Sequence, residues 1–283
     1  MPPQASWSAA PHAWSVGSFF AQMFGYVALS TVLEYVWYYR RWVSRRKWRT
    51  QPLNETRSFQ AGTGGYDEGL PTRDLWSVTL RRGRNRLHSA YATVNLIVSA
   101  VFAGVTCEAY LRGMTKLNVS GDLLDTAFGL GKLITCQSVL EYYWHRVMHV
   151  PTVYKALHKL HHHYECPVVW DDLFIHPVEA FGYYVILYGC GVFISATTGS
   201  FLAYMALMGT CGVLDHCGIA FLLTLKVFFT SKSRSANHLY STNFHDLHHA
   251  KFNVNFAFPF PAMDVVQGTY FEEAKKAGGN KIE

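Results

Sequence analysis

Two long apolar stretches set the terms on which this chain can fold. About Gly17 to Tyr39 and about Ser89 to Leu111 each run for 23 residues, and Glu34 is the only charge in the first. A helix rises about 1.5 Å per residue and needs about 20 apolar residues to cross about 30 Å of hydrocarbon, so both are read as membrane spans. Composition agrees: 50% of the 283 residues are hydrophobic and 16% are Asp, Glu, Lys or Arg, with a mean hydropathy of +0.05. Soluble domains carry about 25% charge. A disordered or strongly acidic protein is thereby excluded. Aromatics make up 16% of the chain, which suits helices that meet lipid headgroups as well as hydrocarbon.

The residues before the first run lack a basic segment, and no small-residue cleavage site follows it, so the run is expected to stay in the protein rather than act as a signal peptide. Residues 40–86 hold twelve of the 25 Lys and Arg residues and four acids. The positive-inside rule makes that loop cytosolic. Its RRWVSRRKWR segment abuts a span and interleaves Trp, as a headgroup anchor does, so the net charge of +6 points to no nucleic-acid partner. Counting crossings puts the sequon Asn118-Val119-Ser120 in the lumen. A third run, about Leu123 to Tyr143, carries Lys132 and Glu141 and returns the chain to the cytosol. Two more, about Val178 to Thr198 and Phe201 to Leu214, fit a hairpin that leaves and re-enters the membrane from that side. Phe221 to Thr230, apolar apart from Lys226 and too short to span, is read as an interfacial or re-entrant helix. The six cysteines (107, 136, 166, 190, 211 and 217) form no CxxC pair. Buried thiols are expected, not a zinc ribbon or a disulfide framework.

Twelve of the fourteen histidines fall between His145 and His249. They form three boxes: His145-Arg-Val-Met-His149, His158-Lys-Leu-His161-His162 and His245-Asp-Leu-His248-His249. At this histidine content chance supplies a particular HxxHH on the order of a few hundredths of an occurrence, and the chain has two. Spacings of three and four put imidazoles on one face of a helix, where two or three neutral nitrogens can meet a metal centre. Eight imidazoles are too many for one tetrahedral ion. Imidazole suits Zn, Cu, Fe and Ni, so ligand type alone leaves the metal open. HExxH is absent, as are the carboxylate-rich ExxH pairs of soluble di-iron bundles.

At these boxes the sequence resembles the sterol desaturase and fatty acid hydroxylase superfamily. The resemblance extends to Pro167, His176-Pro177-Val178-Glu179, Asp215-His216-Cys217-Gly218, Phe252-Asn253 and Asp264-Val-Val-Gln-Gly268-Thr269, about Ser138 to Tyr270 in all. It implies an integral membrane oxidase with a non-haem di-iron centre on the cytosolic face. Carried across residue by residue, it implies metal ligands at His145, His149, His158, His161, His162, His216, His245, His248 and His249. His176 is open to three readings: a ligand, a contact to Glu179, or a helix N-terminus with Pro at its first turn. His163 and His238 are read as interfacial or as supports behind the ligands. Many relatives have an acid seven positions before the first box histidine, where this chain has Ser138; Glu141, one turn before His145, is expected to replace it, unless it pairs with Arg146. Glu179 and Asp215 are the other candidates for bonding to ligand rings. No histidine stands four residues after His216, where Ala220 lies.

The expected fold is an all-α integral membrane protein with about four or five transmembrane helices and a helical cytosolic cap holding a histidine-rich dimetal site. It divides into N-terminal helices with the basic loop (1–137), a catalytic region (138–272) and a tail (273–283). Breaking an unactivated C–H bond calls for a redox metal and O₂. The resemblance implies a lipid hydroxylase or desaturase in the endoplasmic reticulum, with electrons from a b-type cytochrome and its NAD(P)H reductase. A sterol-type lipid is the first substrate reading, a sphingoid base or fatty acyl chain the second. From other classes, a membrane zinc hydrolase using the same imidazoles and a haem-binding or structural membrane protein are the alternatives.

Overall fold

The computed structural model describes residues 10–39, 86–164, 167–220, 222–224 and 238–272. The basic loop at 40–85, Cys166, most of 221–230, the side chain of His238 and the tail from 273 lie outside the described residues. Helix α1 (Ala13–Leu33) continues as a wider π turn over Glu34–Tyr39, and α2 spans Arg86–Leu111. Both are long and apolar enough to cross a membrane. Trp14, Phe24 and Val105 stand on the outside of this pair at 77%, 70% and 61% exposure, an apolar surface that hydrocarbon accepts and water does not. At Gly104 an added Cβ would lie 3.1 Å from the Ser15 carbonyl oxygen, so the two helices approach closely where the side chain is missing.

Three more helices complete the bundle: α3 (Leu123–Met148), α5 (Pro177–Phe193) and α6 (Thr198–Asp215). Their starts follow local chemistry. Asp122 and Asp125 each accept the other's backbone N–H, at 2.8 and 3.2 Å, a reciprocal cap at the head of α3. Pro177 opens α5, and Thr197 Oγ1 accepts from Ser200 N–H at 3.0 Å to open α6.

Side-chain bonds assign the two ends of the bundle. At one, Ser15 donates to Glu108 at 2.6 Å, and the short strands β1 (Leu117–Asn118) and β2 (Ala196–Thr197) pair in parallel. At the other, the Tyr38 hydroxyl donates to the Cys217 carbonyl at 2.5 Å and Trp170 Nε1 donates to Glu34 at 3.0 Å. Tyr39 and Arg86, which bracket the basic loop, belong to this second end, and so does every histidine box. Its core joins Leu33 and Tyr38 to Val168, Val169, Val213, Cys217 and Ile219. Helix α4 (Pro151–Ala156), a 3-10 turn (His158–His163), α7 (Thr242–Lys251) and α8 (Ala262–Gln267) cap it.

The chain is therefore mostly helical, as expected. One local expectation is corrected: Leu222–Thr224 (β3) is not helical but pairs antiparallel with His238–Ser241 (β4). The run is ten residues long, a length at which a strand and a short helix cannot be told apart from the sequence alone. Of the cysteines, 190, 211 and 217 are buried, and 107 and 136 are half-buried.

Candidate metal centre

All nine histidines carried over from the resemblance converge at this end of the bundle, and they form two groups. His145, His149, His158, His162 and His248 make the first; His161, His216, His245 and His249 make the second. Within each group the ligand nitrogens lie within 4.8 Å of one another. The last turn of α3 delivers His145, and His149 closes that helix as its C-cap. His216 is the C-cap of α6, and α7 delivers the third box.

Hydrogen bonds on the outer nitrogens fix which face of each ring looks inward. Nδ1 of His145 donates to the Phe256 carbonyl at 2.8 Å, Nδ1 of His248 to the Val254 carbonyl at 2.7 Å, and Nδ1 of His216 to the Gly212 carbonyl at 3.1 Å. His158 Nδ1 bonds the Glu179 carboxylate at 2.5 Å, with both side chains wholly buried. A ring that has placed its proton outward presents a bare lone pair at Nε2. These Nε2 atoms face one another: 2.9 Å between His158 and His149, 3.0 Å between His158 and His162, 3.1 Å between His162 and His248. In the second group His216 Nε2 stands 3.2 Å from His161 and 2.9 Å from His245. Converging lone pairs repel unless a cation lies between them.

With bonds of about 2.1 Å, neighbouring ligands of one ion sit about 3.0–3.4 Å apart, so contacts of 2.9–3.2 Å suit rings that share an ion. Contacts this short between several imidazoles of one group also leave no room for a porphyrin, which takes its two axial ligands on opposite faces. Burial pushes His149 down to about 3 and His162 and His248 well below their ordinary value, with neighbouring charges adding to the effect. The rings are neutral at physiological pH, the state a metal requires.

The remaining candidates fall into place around the groups. Glu141 accepts from the Gln137 amide and lies beside His145, His161, His216 and His245 on a small cavity. Arg146, its possible partner, rests over the Phe256 ring at 4.7 Å instead. Asp215 accepts from the Tyr240 hydroxyl at 2.6 Å. His176 is the N-cap of α5, its Nδ1 accepting from Val178 N–H at 3.3 Å, so the helix-terminus reading describes it. His163 packs on Tyr164 at 4.8 Å between centroids and belongs to neither group.

Two features escaped the sequence reading. His88 is buried at the head of α2, 3.2 Å from Asp171 and stacked on Phe174 at 4.8 Å. Asp264, buried in α8, accepts from the N–H groups of Phe256 and Ala257 at 2.9 and 2.6 Å and from Thr269 at 2.5 Å. It thereby holds the loop whose Phe256 and Val254 carbonyls orient His145 and His248. The Asp-to-Thr pattern was visible, but nothing in it named the loop. Asp264→Ala leaves two buried N–H donors without acceptors, at about 1–3 kcal/mol each. A loss of about 3 kcal/mol is expected, read as a lower unfolding temperature in detergent.

Residues 131–269, which contain all nine histidines, match the family model described as Fatty acid hydroxylase. The Sphingolipid C4-hydroxylase sur2 of Schizosaccharomyces pombe is 33% identical over 138 residues, covering 46% of this chain and 43% of that protein. The Methylsterol monooxygenase erg25B of Aspergillus fumigatus is 30% identical over 141 residues, 48% of this chain and 45% of that one. Protein CER1-like 2 of Arabidopsis thaliana is 31% identical over 137 residues, 45% and 21% respectively. The chain thus spans less than half the length of each of these relatives. No solved structure matches. These matches place residues 131–269 in the sterol desaturase/fatty acid hydroxylase superfamily. Nothing in these comparisons supports a zinc hydrolase.

Proposed function

We propose that the protein is a membrane-bound, non-haem di-iron oxidoreductase that uses O₂ to hydroxylate or desaturate a lipid, with a sterol-type lipid as substrate. The observation that carries this reading is the convergence of nine histidines into two largely buried groups whose ligand nitrogens lie within 4.8 Å of one another. His145, His149, His158, His162 and His248 would hold one iron and His161, His216, His245 and His249 the other. When bound, the pair supplies the redox chemistry with O₂ that acid–base side chains cannot. The chain's own residues do the rest. The Phe256, Val254 and Gly212 carbonyls and Glu179 lock the rings, and the apolar helices bring the lipid up to them. A sphingoid base or fatty acyl chain is the second reading, favoured by the 33% identity to a sphingolipid hydroxylase.

Electrons come from a b-type cytochrome and its NAD(P)H reductase, an acidic carrier of this kind being attracted by the basic residues that the sequence concentrates at 40–86. With that loop cytosolic, α1, α2, α3, α5 and α6 all cross an endoplasmic reticulum bilayer and the capping segments face the cytosol. Metal analysis of the purified protein is expected to return two irons per chain, with O₂ uptake that depends on added lipid and reductant. Zinc without O₂ uptake, or a Soret band, would overturn the reading.

A further inference from the structure

The reading above leaves the substrate's orientation open, and the cavities bear on it. One cavity of about 760 Å³ runs between α1, α2 and α6, reaching from Trp14 and Leu202 at the end away from the histidines to Tyr26 and Val213. A second, of about 180 Å³, is lined by His145, His161, His216 and His245. Gln22, Tyr26, Gly209 and Val213 line both, so the two spaces adjoin across these four residues. The first is mainly apolar, and from Trp14 to Tyr26, at about 1.5 Å per residue, its wall along α1 is about 18 Å long. The second has room for about six groups the size of a water, at about 30 Å³ each.

Missing side chains keep the space open. A Cβ at Gly25, Gly209 or Gly212 would meet nothing within 4 Å. Gly25 lines the large cavity, Gly212 the small one and Gly209 their junction. Glycine in a helix costs about 1 kcal/mol relative to alanine, and here it clears a path to the imidazoles.

Two polar pairs stand at the junction: Gln22 donates to Ser99 at 3.1 Å, and the second pair carries a carboxyl. The Tyr26 hydroxyl donates to Asp172 at 2.5 Å, and both side chains line the small cavity. With its only proton committed to the carboxylate, Tyr26 joins Asp172 in presenting acceptor oxygens to a ligand. Burial raises the Asp172 carboxyl to about 7, so its charged form gains from any further donor. A carboxylate head offers that charged form no donor.

Resting on the di-iron reading, we propose that the substrate is a lipid with a hydroxyl close to the carbon that reacts: the hydroxyl bonds Asp172 and the apolar body fills the cavity between α1, α2 and α6. Asp172 and Tyr26 are then positioning residues that select an alcohol head over a fatty acid. Much of the selecting wall, α1 and α2, lies outside the region matched by the family model. A long-chain amino diol and a 3-hydroxysterol both carry the required group.

Photocrosslinking of the full-length protein in nanodiscs tests this, using three probes with a diazirine at the end remote from the head: a saturated 2-amino-1,3-diol, a 3-hydroxysterol and a fatty acid. At least one alcohol probe is expected to label the segments around Trp14 and Leu202, competed by its unlabelled form, about tenfold more than the fatty acid does. Whichever alcohol labels names the source. In Asp172→Asn the amide accepts from Tyr26 and turns a donor to the cavity, so alcohol labelling is expected to fall about tenfold and fatty-acid labelling to rise. Gly209→Leu, whose Cβ would meet nothing within 4 Å, is expected to abolish labelling at the far end by plugging the junction. Equal labelling by all three probes, or labelling unchanged in both variants, would overturn the proposal. Crosslinking needs neither O₂ nor turnover, so failure of the di-iron reading shows separately, in the metal content.

Discussion

In a His248→Ala variant, lipid oxidation is expected to fall below detection and metal content to drop from two ions per chain to one. His248 is completely buried, its Nδ1 committed to the Val254 carbonyl and its Nε2 3.1 Å from that of His162. Alanine removes one of five nitrogens from the first group and leaves an apolar void where a donor stood. The substitution removes no nitrogen of the second group, and His216 keeps its bond to the Gly212 carbonyl, so that group is expected to keep its ion. A two-electron oxidation shared between paired metals has no partial form at one. Membrane insertion rests on α1 and α2, which the substitution does not touch, so the variant is expected to reach the membrane at wild-type level. His163→Ala is the matched control: that ring belongs to neither group and its loss is expected to leave both ions in place. Metal analysis with a turnover assay checks both, and turnover retained in His248→Ala would refute the ligand assignment.

The sequence announced these residues because ligand boxes are local. Histidines three and four apart must lie near one another in a helical segment, and repetition of the box lifts it above chance. It did not announce how the boxes are shared. His158 and His162 serve one group and His161 the other, while His248 is separated from His245 and His249 in the same way. That division follows from where α3, α6 and α7 end relative to each other. The spans were legible for an equally local reason, since α1 and α2 each carry an unbroken apolar run. What stayed hidden is long-range: His88 with Asp171, 83 residues apart, and Asp264 fastening a loop that reaches back to His145. Glu141 was legible as a carboxylate beside the site, yet its bond to Gln137 required the rotamers of both side chains.

Glu179 is expected to give the second large effect, through metal affinity. Its carboxylate lies 2.5 Å from His158 Nδ1 with both groups wholly buried, and it stands in the first turn of α5, where the helix dipole favours a negative charge. A carboxylate behind a metal-bound imidazole fixes the tautomer, orients the ring and raises its basicity, and losing such a partner costs about 10–100-fold in metal affinity. Glu179→Ala also strands the His158 N–H in a buried site, at about 1–3 kcal/mol. Glu179→Gln keeps an oxygen acceptor in the same place and gives up only the charge, so it is expected to fall between Ala and wild type. Because His158 Nε2 faces both His149 and His162 at 2.9–3.0 Å, the loss should concentrate on the five-histidine group. Competition against a chelator, followed by metal counting, reads this directly: one ion leaves early and the other at wild-type chelator concentration. Equal loss of both ions would mean that Glu179 supports the cap as a whole, whereas retention of both would leave the short contact without a role in holding metal.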